Sequence, residues 1–193
     1  MFQVRIHGRG GQGVVSAAEM LSVAGFLENR HTQAFPSFGS ERMGAPVMAF
    51  CRLDDKPIRL REPVISPDAL IIQDTTLLHQ VNLFEGLSEN GFVLINSSRD
   101  TSQLGLDEYF DQHPDLTVLT VPATRLALEH VGRPLPNAAL LGGFAALTSR
   151  IAIESVTAAI AEKFSGRIAA SNIAAASAAF DQVKHDQRAD SVC

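Results

Sequence analysis

The sequence predicts an α/β fold: an open, mostly parallel sheet with helices on both faces and a helical C-terminal third. Three observations support this prediction. A glycine-rich turn, Gly8–Gly13, separates an apolar strand pattern from a helical pattern near the start of the chain. The runs "DALIIQD" (68–74) and "GFVLIN" (91–96) have short apolar centres between polar or turn residues, as buried parallel strands do. Beyond residue 123 helical periodicity dominates. Together these features are typical of a Rossmann-like domain.

The individual elements follow from periodicity and from the residues that interrupt it. The first helix, 14–30, carries a broadly apolar stripe, and prolines separate the extended stretches between residues 36 and 63. We expect strands at 2–7, 31–35, 45–53, 56–60, 68–74, 91–96 and 116–123. We expect helices at 14–30, 75–87, 123–132, 137–149, 153–164 and 167–184, with Asn137 capping the helix that follows it.

Composition bounds the class of protein. The 193 residues suit one domain, 1–185, followed by a solvated tail or partner-reaching arm at 186–193. A net charge of −5 without a basic run argues against a nucleic-acid partner, and no apolar run is long enough to span a membrane. No secretory signal is evident at the start. The two cysteines exclude a disulfide framework and a cysteine-ligated metal or iron–sulfur site built within this chain. We therefore expect a cytoplasmic protein.

The glycine turn has the spacing of a phosphate-binding loop. Gly8, Gly10 and Gly13 form G-x-G-x-x-G between a first strand and a first helix, where free N–H groups and the positive end of the helix can face a diphosphate. Gln12 and Arg9 could each contact such a ligand, or Arg9 could face solvent. The alternative is a turn whose glycines only allow close strand–helix packing.

Two familiar uses of such a turn fit poorly. An NTPase loop needs Lys and then Ser or Thr after its last glycine, and the chain has Val14 and Val15. An NAD site needs an acidic residue at the end of the second strand, about 20 residues further on, and none precedes Glu41 there. The residues themselves therefore leave two interpretations of the turn. It binds another phosphate-bearing ligand with an adenine nucleotide, or it contacts a cofactor held by a partner protein.

A second constellation lies at residues 34–58, "AFPSFGSERMGAPVMAFCRLDDKPI". Ser40, Glu41 and Arg42 stand between glycines on a polar loop, where an Arg–Glu pair suits recognition of a phosphate or a partner protein. The alternative is a solvated turn. Asp74 and Thr75 end a predicted strand at the carboxyl edge of the sheet, where ligands of open α/β sheets gather. Asn96 and Ser97 stand at the same edge one strand on, whereas His7 is expected to be a satisfied or exposed histidine.

These segments resemble a known family. "GRGGQGVVSAAEML" followed by "FPSFGSERMGAPVMAFCRLDDKPI" is similar to the gamma subunit or domain of the 2-oxoacid:acceptor (ferredoxin) oxidoreductases, and the resemblance covers nearly the whole chain. In that family the second motif commonly reads F-G-P-E-R-R-G-A-P-V. Here Ser40 replaces the proline and Met43 replaces the second arginine, which removes one positive charge from the loop.

The resemblance implies a function within a complex. The family oxidatively decarboxylates 2-oxoacids on thiamine diphosphate, passes electrons through iron–sulfur clusters, and transfers the acyl group to coenzyme A. It implies alpha, beta and ferredoxin-like subunits as partners, and ferredoxin or an NAD-linked acceptor, with FAD or NAD on a further subunit. Thiamine diphosphate, magnesium and the clusters would lie on partner subunits, because this chain has neither the thiamine motif nor a cluster motif. The gamma part would help to hold coenzyme A, and the isolated chain would be inactive.

The leading hypothesis is therefore a gamma subunit without catalytic or metal-ligating residues of its own. A free-standing NAD(P)-binding reductase and a purely structural scaffold are the alternatives. The candidate cofactor-binding residues are Gly8, Arg9, Gly10, Gly11, Gln12, Gly13, Ser40, Glu41, Arg42, Asp74 and Thr75.

Overall fold

One mixed sheet forms the centre of the protein. The computed structural model describes residues 1–37 and 43–190, with side chains as far as Arg188. Within those residues the sheet has six strands: β1 (Phe2–Arg9), β2 (His31–Pro36), β3 (Pro46–Asp54), β4 (Ala69–Ile72), β5 (Phe92–Asn96) and β6 (Thr117–Val121). Their order across the sheet is β2-β3-β1-β4-β5-β6.

Strand direction confirms the predicted class. β1, β4, β5 and β6 pair in parallel, whereas β3 runs antiparallel to both of its neighbours, β1 and β2. All described strands except β3 therefore point the same way. The chain moves to one side of β1 with β2 and β3 and to the other with β4, so the carboxyl ends of β1 and β4 meet at a topological switch point, where open α/β sheets bind ligands.

The long helices pack together on one face of the sheet. They are α1 (Val14–Leu27), α3 (Ala123–Val131), α4 (Asn137–Thr148), α5 (Ile153–Lys163) and α6 (Gly166–Asp190), numbered around a short α2 (Asp107–Asp111). Every residue of α4 is buried, because this helix lies between the sheet and α6 and also contacts α1, α3 and α5. None of the helices in the described part of the chain has both the length and the apolar character needed to cross a bilayer.

Shorter segments cover the opposite face. Leu70 and Ile72 of β4 and Val93 and Ile95 of β5 pack there against a 3₁₀ helix, Thr75–His79, and the segments that follow it. Further along, Leu104, Leu106 and Phe110 complete this second, smaller core, the last of them from α2. The helices on the two faces thus differ greatly in length.

Some predicted elements were wrong. Residues 56–60, predicted as a strand, form none, and Pro57 in this segment has no N–H to donate to a ladder. The helix expected at 75–87 is limited to the 3₁₀ helix, and α2 was not predicted. Residues 186–190, assigned to a tail, continue α6, while 191–193 lie outside the described residues.

Candidate functional site

The glycine turn joins the carboxyl end of β1 to the start of α1. Gly11 and Gly13 have φ angles of 93° and 76°, in the left-handed region that favours glycine. Gly13 is the N-cap of α1, and no side chain caps the helix. Within the described residues the N–H groups of Val14, Val15 and Ser16 therefore have no capping acceptor, which is the arrangement that attracts an anion.

A cavity of about 310 Å³ lies over this uncapped helix end. It borders the turn on one side and β3 on the other. Its lining residues are Arg9, Gly10, Gly11, Gly13, Val14, Val15, Ser16 and Val47.

Close packing explains some of the glycines. A Cβ on Gly8 would lie 2.6 Å from Cγ2 of Val14, and a Cβ on Gly13 would lie 2.6 Å from Nδ2 of Asn137. Asn137 is the first residue of α4 and makes no capping hydrogen bond, contrary to prediction, because the N-cap position is occupied by Pro136. Its amide instead packs against the turn. These contacts favour glycine at positions 8 and 13 whether or not a ligand binds.

Gln12 connects the turn to the carboxyl end of β4. Its Oε1 accepts from the main-chain N–H of Arg9 at 2.8 Å, and its Nε2 donates to Oδ2 of Asp74 at 2.8 Å. Asp74 also caps the 3₁₀ helix through a 3.0 Å hydrogen bond from Thr76 N–H to its Oδ1. Thr75 is the first residue of that helix.

Arg9 is held by its own chain. Its guanidinium group donates to the carbonyl of Gly44 at 3.0 Å and to Oγ1 of Thr76 at 2.6 Å, and its Nε lies 3.3 Å from Oδ2 of Asp74. Burial by itself would raise the pKa of the Asp74 carboxyl. Hydrogen bonds from Thr76 and Gln12, together with the Arg9 charge, nevertheless hold that pKa below its ordinary value. Arg9 and Asp74 therefore position the turn.

Comparison with known proteins identifies the family. Residues 3–182 match the family model described as pyruvate ferredoxin/flavodoxin oxidoreductase. The "Pyruvate/ketoisovalerate oxidoreductases common subunit gamma" of Pyrococcus abyssi is 43% identical, over 95% of this chain and 98% of that protein. This chain belongs to the pyruvate ferredoxin/flavodoxin oxidoreductase family. It is a gamma subunit of a 2-oxoacid oxidoreductase complex, as the resemblance implied.

Solved structures agree. Pyruvate oxidoreductase subunit PORC from Thermotoga maritima superposes with a TM-score of 0.79 at 32% identity, covering 93% of this chain and 95% of that one. A chain of 2-oxoglutarate:ferredoxin oxidoreductase from Magnetococcus marinus, solved with 2-oxoglutarate, coenzyme A and succinyl-CoA bound, shares the fold. Its TM-score is 0.69 at 16% identity, and the match covers 97% of this chain and 31% of that one.

In this gamma subunit the glycine turn, Gly8–Gly13, contacts residues 43–45 of the second motif. The N–H of Gly10 donates to the carbonyl of Ala45 at 2.9 Å, and the N–H of Gly44 donates to the carbonyl of Gly10 at 3.1 Å. Met43 lies over Gly11, where an added Cβ would meet its sulfur at 2.5 Å. Ser40, Glu41 and Arg42, the predicted polar core of the second segment, lie outside the described residues.

A second cavity of this oxidoreductase subunit continues the same edge of the sheet. It has a volume of about 360 Å³ and a polar lining beyond Asp74 and Thr75. Asn96 connects two other lining residues, because its side-chain amide donates to the carbonyl of Gln73 at 2.8 Å and to Oγ1 of Thr124 at 2.7 Å. Arg99 and Arg125 also line it and were not predicted from the sequence, because isolated exposed arginines, one in a loop and one in α3, carry no pattern. The remaining lining residues are Gln12, Gln73, Asn96, Ser97, Ser98, Pro122 and Thr124.

Proposed function

We propose that this gamma subunit binds the diphosphate of coenzyme A at the glycine turn, Gly8–Gly13, and the start of α1. The observation that carries the proposal is the uncapped end of α1 beneath the cavity of about 310 Å³. The N–H groups of Val14, Val15 and Ser16 would hold the diphosphate. Coenzyme A accepts the acyl group in the complex, and the role of this chain is to bind and orient it.

The position in the fold supports this proposal. The turn stands at the switch point between β1 and β4, and the polar cavity beside it extends the space available to a nucleotide. Gln12 and Asp74 hold the turn and the carboxyl end of β4 at a fixed separation. A preformed binding site of this kind loses little conformational entropy when a ligand binds.

The sheet order argues against the NAD(P) alternative. A dinucleotide fold needs a carboxylate at the end of the strand beside β1, where it can reach the ribose hydroxyls. Here the neighbour of β1 is the antiparallel β3, and β2 is displaced by two strand spacings, about 10 Å. The strand that should carry the acid therefore ends away from the turn.

The rest of the assignment concerns partners. We propose that thiamine diphosphate, magnesium and iron–sulfur clusters are held by alpha, beta and ferredoxin-like subunits, that ferredoxin or an NAD-linked chain accepts the electrons, and that the complex is cytoplasmic. Residues 1–185 would act as one domain within it. We propose that Ser40, Glu41 and Arg42 border the same site, because their loop ends at Met43 beside Gly11.

A charge placed at the helix start tests the proposal in the assembled complex. Ser16 is the third residue of α1, where a glutamate suits the helix dipole, so Ser16→Glu should preserve the fold while repelling a diphosphate. We expect the apparent KM for coenzyme A to rise about tenfold, equivalent to about 1.4 kcal/mol, with little change in kcat.

The matched control is Ser155→Glu, at the third position of α5, which should leave the KM unchanged. Size-exclusion chromatography verifies that both variant complexes assemble. An unchanged KM in the Ser16→Glu complex would refute coenzyme A binding at the turn and leave the scaffold alternative. Tight binding of NAD(P) by the isolated chain would favour the reductase alternative instead.

A further inference from the structure

Two polar side chains of β1 are buried on the face of the sheet opposite α1. Arg5 and His7 alternate with the core residues Val4 and Ile6, and their relative exposures are only 7% and 4%. Pairing with β3 sets His7 beside Met48. His7 was expected to be satisfied or exposed, and it is neither.

Both side chains have unused nitrogen atoms. One terminal nitrogen of Arg5, Nη2, donates to the carbonyls of Leu83 at 2.9 Å and Glu85 at 2.6 Å. Nε of Arg5 and Nε2 of His7 are buried and have no hydrogen-bond partner in the described part of the chain. No carboxylate of the described residues lies within 4.0 Å of the Arg5 nitrogens. Glu85 acts on the Arg5 charge only from beyond ion-pair distance. A buried cation without a directly paired carboxylate is costly, so this arrangement favours binding of an anion.

The two residues line a cavity of about 400 Å³, a size typical of small-ligand sites. Besides Arg5 and His7, its lining combines the apolar residues Pro46, Val47, Met48, Leu77 and Val81 with the polar residues Ser37, Asn82 and Glu85. Burial, reinforced by the neighbouring Arg5 charge, lowers the pKa of His7 to about 3, so its imidazole is neutral at pH 7. Arg5 supplies the positive charge, and the walls suit a compact apolar group.

We propose that this cavity is a binding site for a small monocarboxylate with a compact apolar body. The carboxylate would pair with the Arg5 guanidinium and accept a hydrogen bond from the His7 ring, and the apolar body would rest against Met48, Leu77 and Val81. Glu85, exposed at the rim, would repel a second negative charge and so disfavour dicarboxylates. The site lies on the face opposite α1, and Val47 of β3 lines both this cavity and the cavity over the start of α1.

Titrations of the full chain with three probes test the charge requirement. Isobutyrate is the expected ligand, isobutyramide is its neutral isostere, and succinate carries a second charge. Isothermal calorimetry or ligand-observed NMR should give an affinity for isobutyrate at least about tenfold higher than for either comparison compound. Equal binding of isobutyrate and isobutyramide, or no binding of isobutyrate, would overturn the proposal without any mutation.

Two variants locate the site. Arg5→Met should weaken isobutyrate binding about tenfold or more. Because Arg5 also bonds to two carbonyls, Val81→Trp provides a second variant, filling the cavity from its exposed rim without removing a hydrogen bond. Leu128→Trp, an exposed apolar position on α3, is its matched control and should bind as the unmodified chain does. Unchanged affinity in a folded Val81→Trp chain would place the ligand elsewhere and refute the assignment.

Discussion

The side-chain amide of Gln12 spans from the glycine turn to Asp74, 62 residues later in the sequence, by donating to its carboxylate at 2.8 Å. The same amide accepts the main-chain N–H of Arg9. One side chain thus fixes the turn relative to the carboxyl end of β4. Because the oxygen and the nitrogen of the Gln12 side-chain amide both make hydrogen bonds within the protein, Gln12 acts in this structure by positioning the turn.

Removing this amide should destabilise the fold. Gln12→Ala leaves the part-buried N–H of Arg9 without its acceptor, so we expect a loss of about 1–3 kcal/mol in the free energy of unfolding. Urea denaturation measures the change. Gln112→Ala, at an exposed position at the end of α2, should alter stability by less than about 0.5 kcal/mol. Equal losses of unfolding free energy in the two variants would show that the hydrogen bonds of the Gln12 amide contribute nothing to stability.

Asp74 should make stability depend on pH. Its pKa is depressed in the folded protein, so ionised Asp74 contributes stability that is present above the ordinary aspartate pKa, about 3.9, and is lost as the pH falls through the folded value. The difference in unfolding free energy between the unmodified chain and Asp74→Asn should therefore be largest near neutrality and narrow in acid.

Urea titrations between neutral and acid pH check this dependence. Thr76→Val removes a donor to Asp74, so it should move the acid loss of stability to higher pH. A difference between unmodified chain and Asp74→Asn that stays constant across the range would contradict the assignment.

Gly13 should tolerate alanine less well than Gly132. Both glycines have φ of 76°, so alanine pays the same left-handed backbone cost of about 1–2 kcal/mol at each. Gly132 has nothing within 4 Å of an added Cβ, whereas Gly13 faces the amide of Asn137. Urea denaturation should show the larger loss for Gly13→Ala, and Asn137→Ala in the same chain should recover part of it. Equal losses would mean that Asn137 moves aside freely.

Replacing each of two adjacent glycines of α4 with alanine should change the stability of the fold by very different amounts. An added Cβ on Gly142 would collide with the carbonyl oxygen of Ala176 in α6, whereas on Gly143 it would lie 3.3 Å from Cδ2 of Leu94, a side-chain atom that can shift. We expect Gly142→Ala to lose about 3 kcal/mol or more and Gly143→Ala to change stability by less than about 1 kcal/mol. Thermal and urea unfolding measure both. A mild Gly142→Ala would contradict the close approach of α4 and α6.

Local patterns predicted the parts of the fold that local physics determines. The apolar runs of β4 and β5 and the position of α1 directly after the glycines follow from burial and turn chemistry. The insertion of β3 between β1 and β2 could not be predicted, because strand order depends on pairing between distant segments. Likewise "KPIRL" has the composition of a strand but finds no neighbouring strand to pair with.

The candidate site shows the same division. The sequence indicated Gly8–Gly13 and Asp74 because spacing and strand ends are visible in it. It did not reveal that Arg9 would be held by Gly44 and Thr76, since that depends on how two loops meet. The unused nitrogens of Arg5 and His7 were also hidden, because an alternating strand pattern does not show what covers its second face.

The contact between Gly10 and residues 43–45 consists of main-chain hydrogen bonds. Amino-acid replacement at position 43 leaves those N–H and carbonyl groups in place, since every residue except proline carries both. Methionine can therefore occupy position 43 while the main-chain contact between this segment and the turn is kept. A substitution at position 43 can therefore change the charge beside the glycine turn without changing the backbone conformation of the turn.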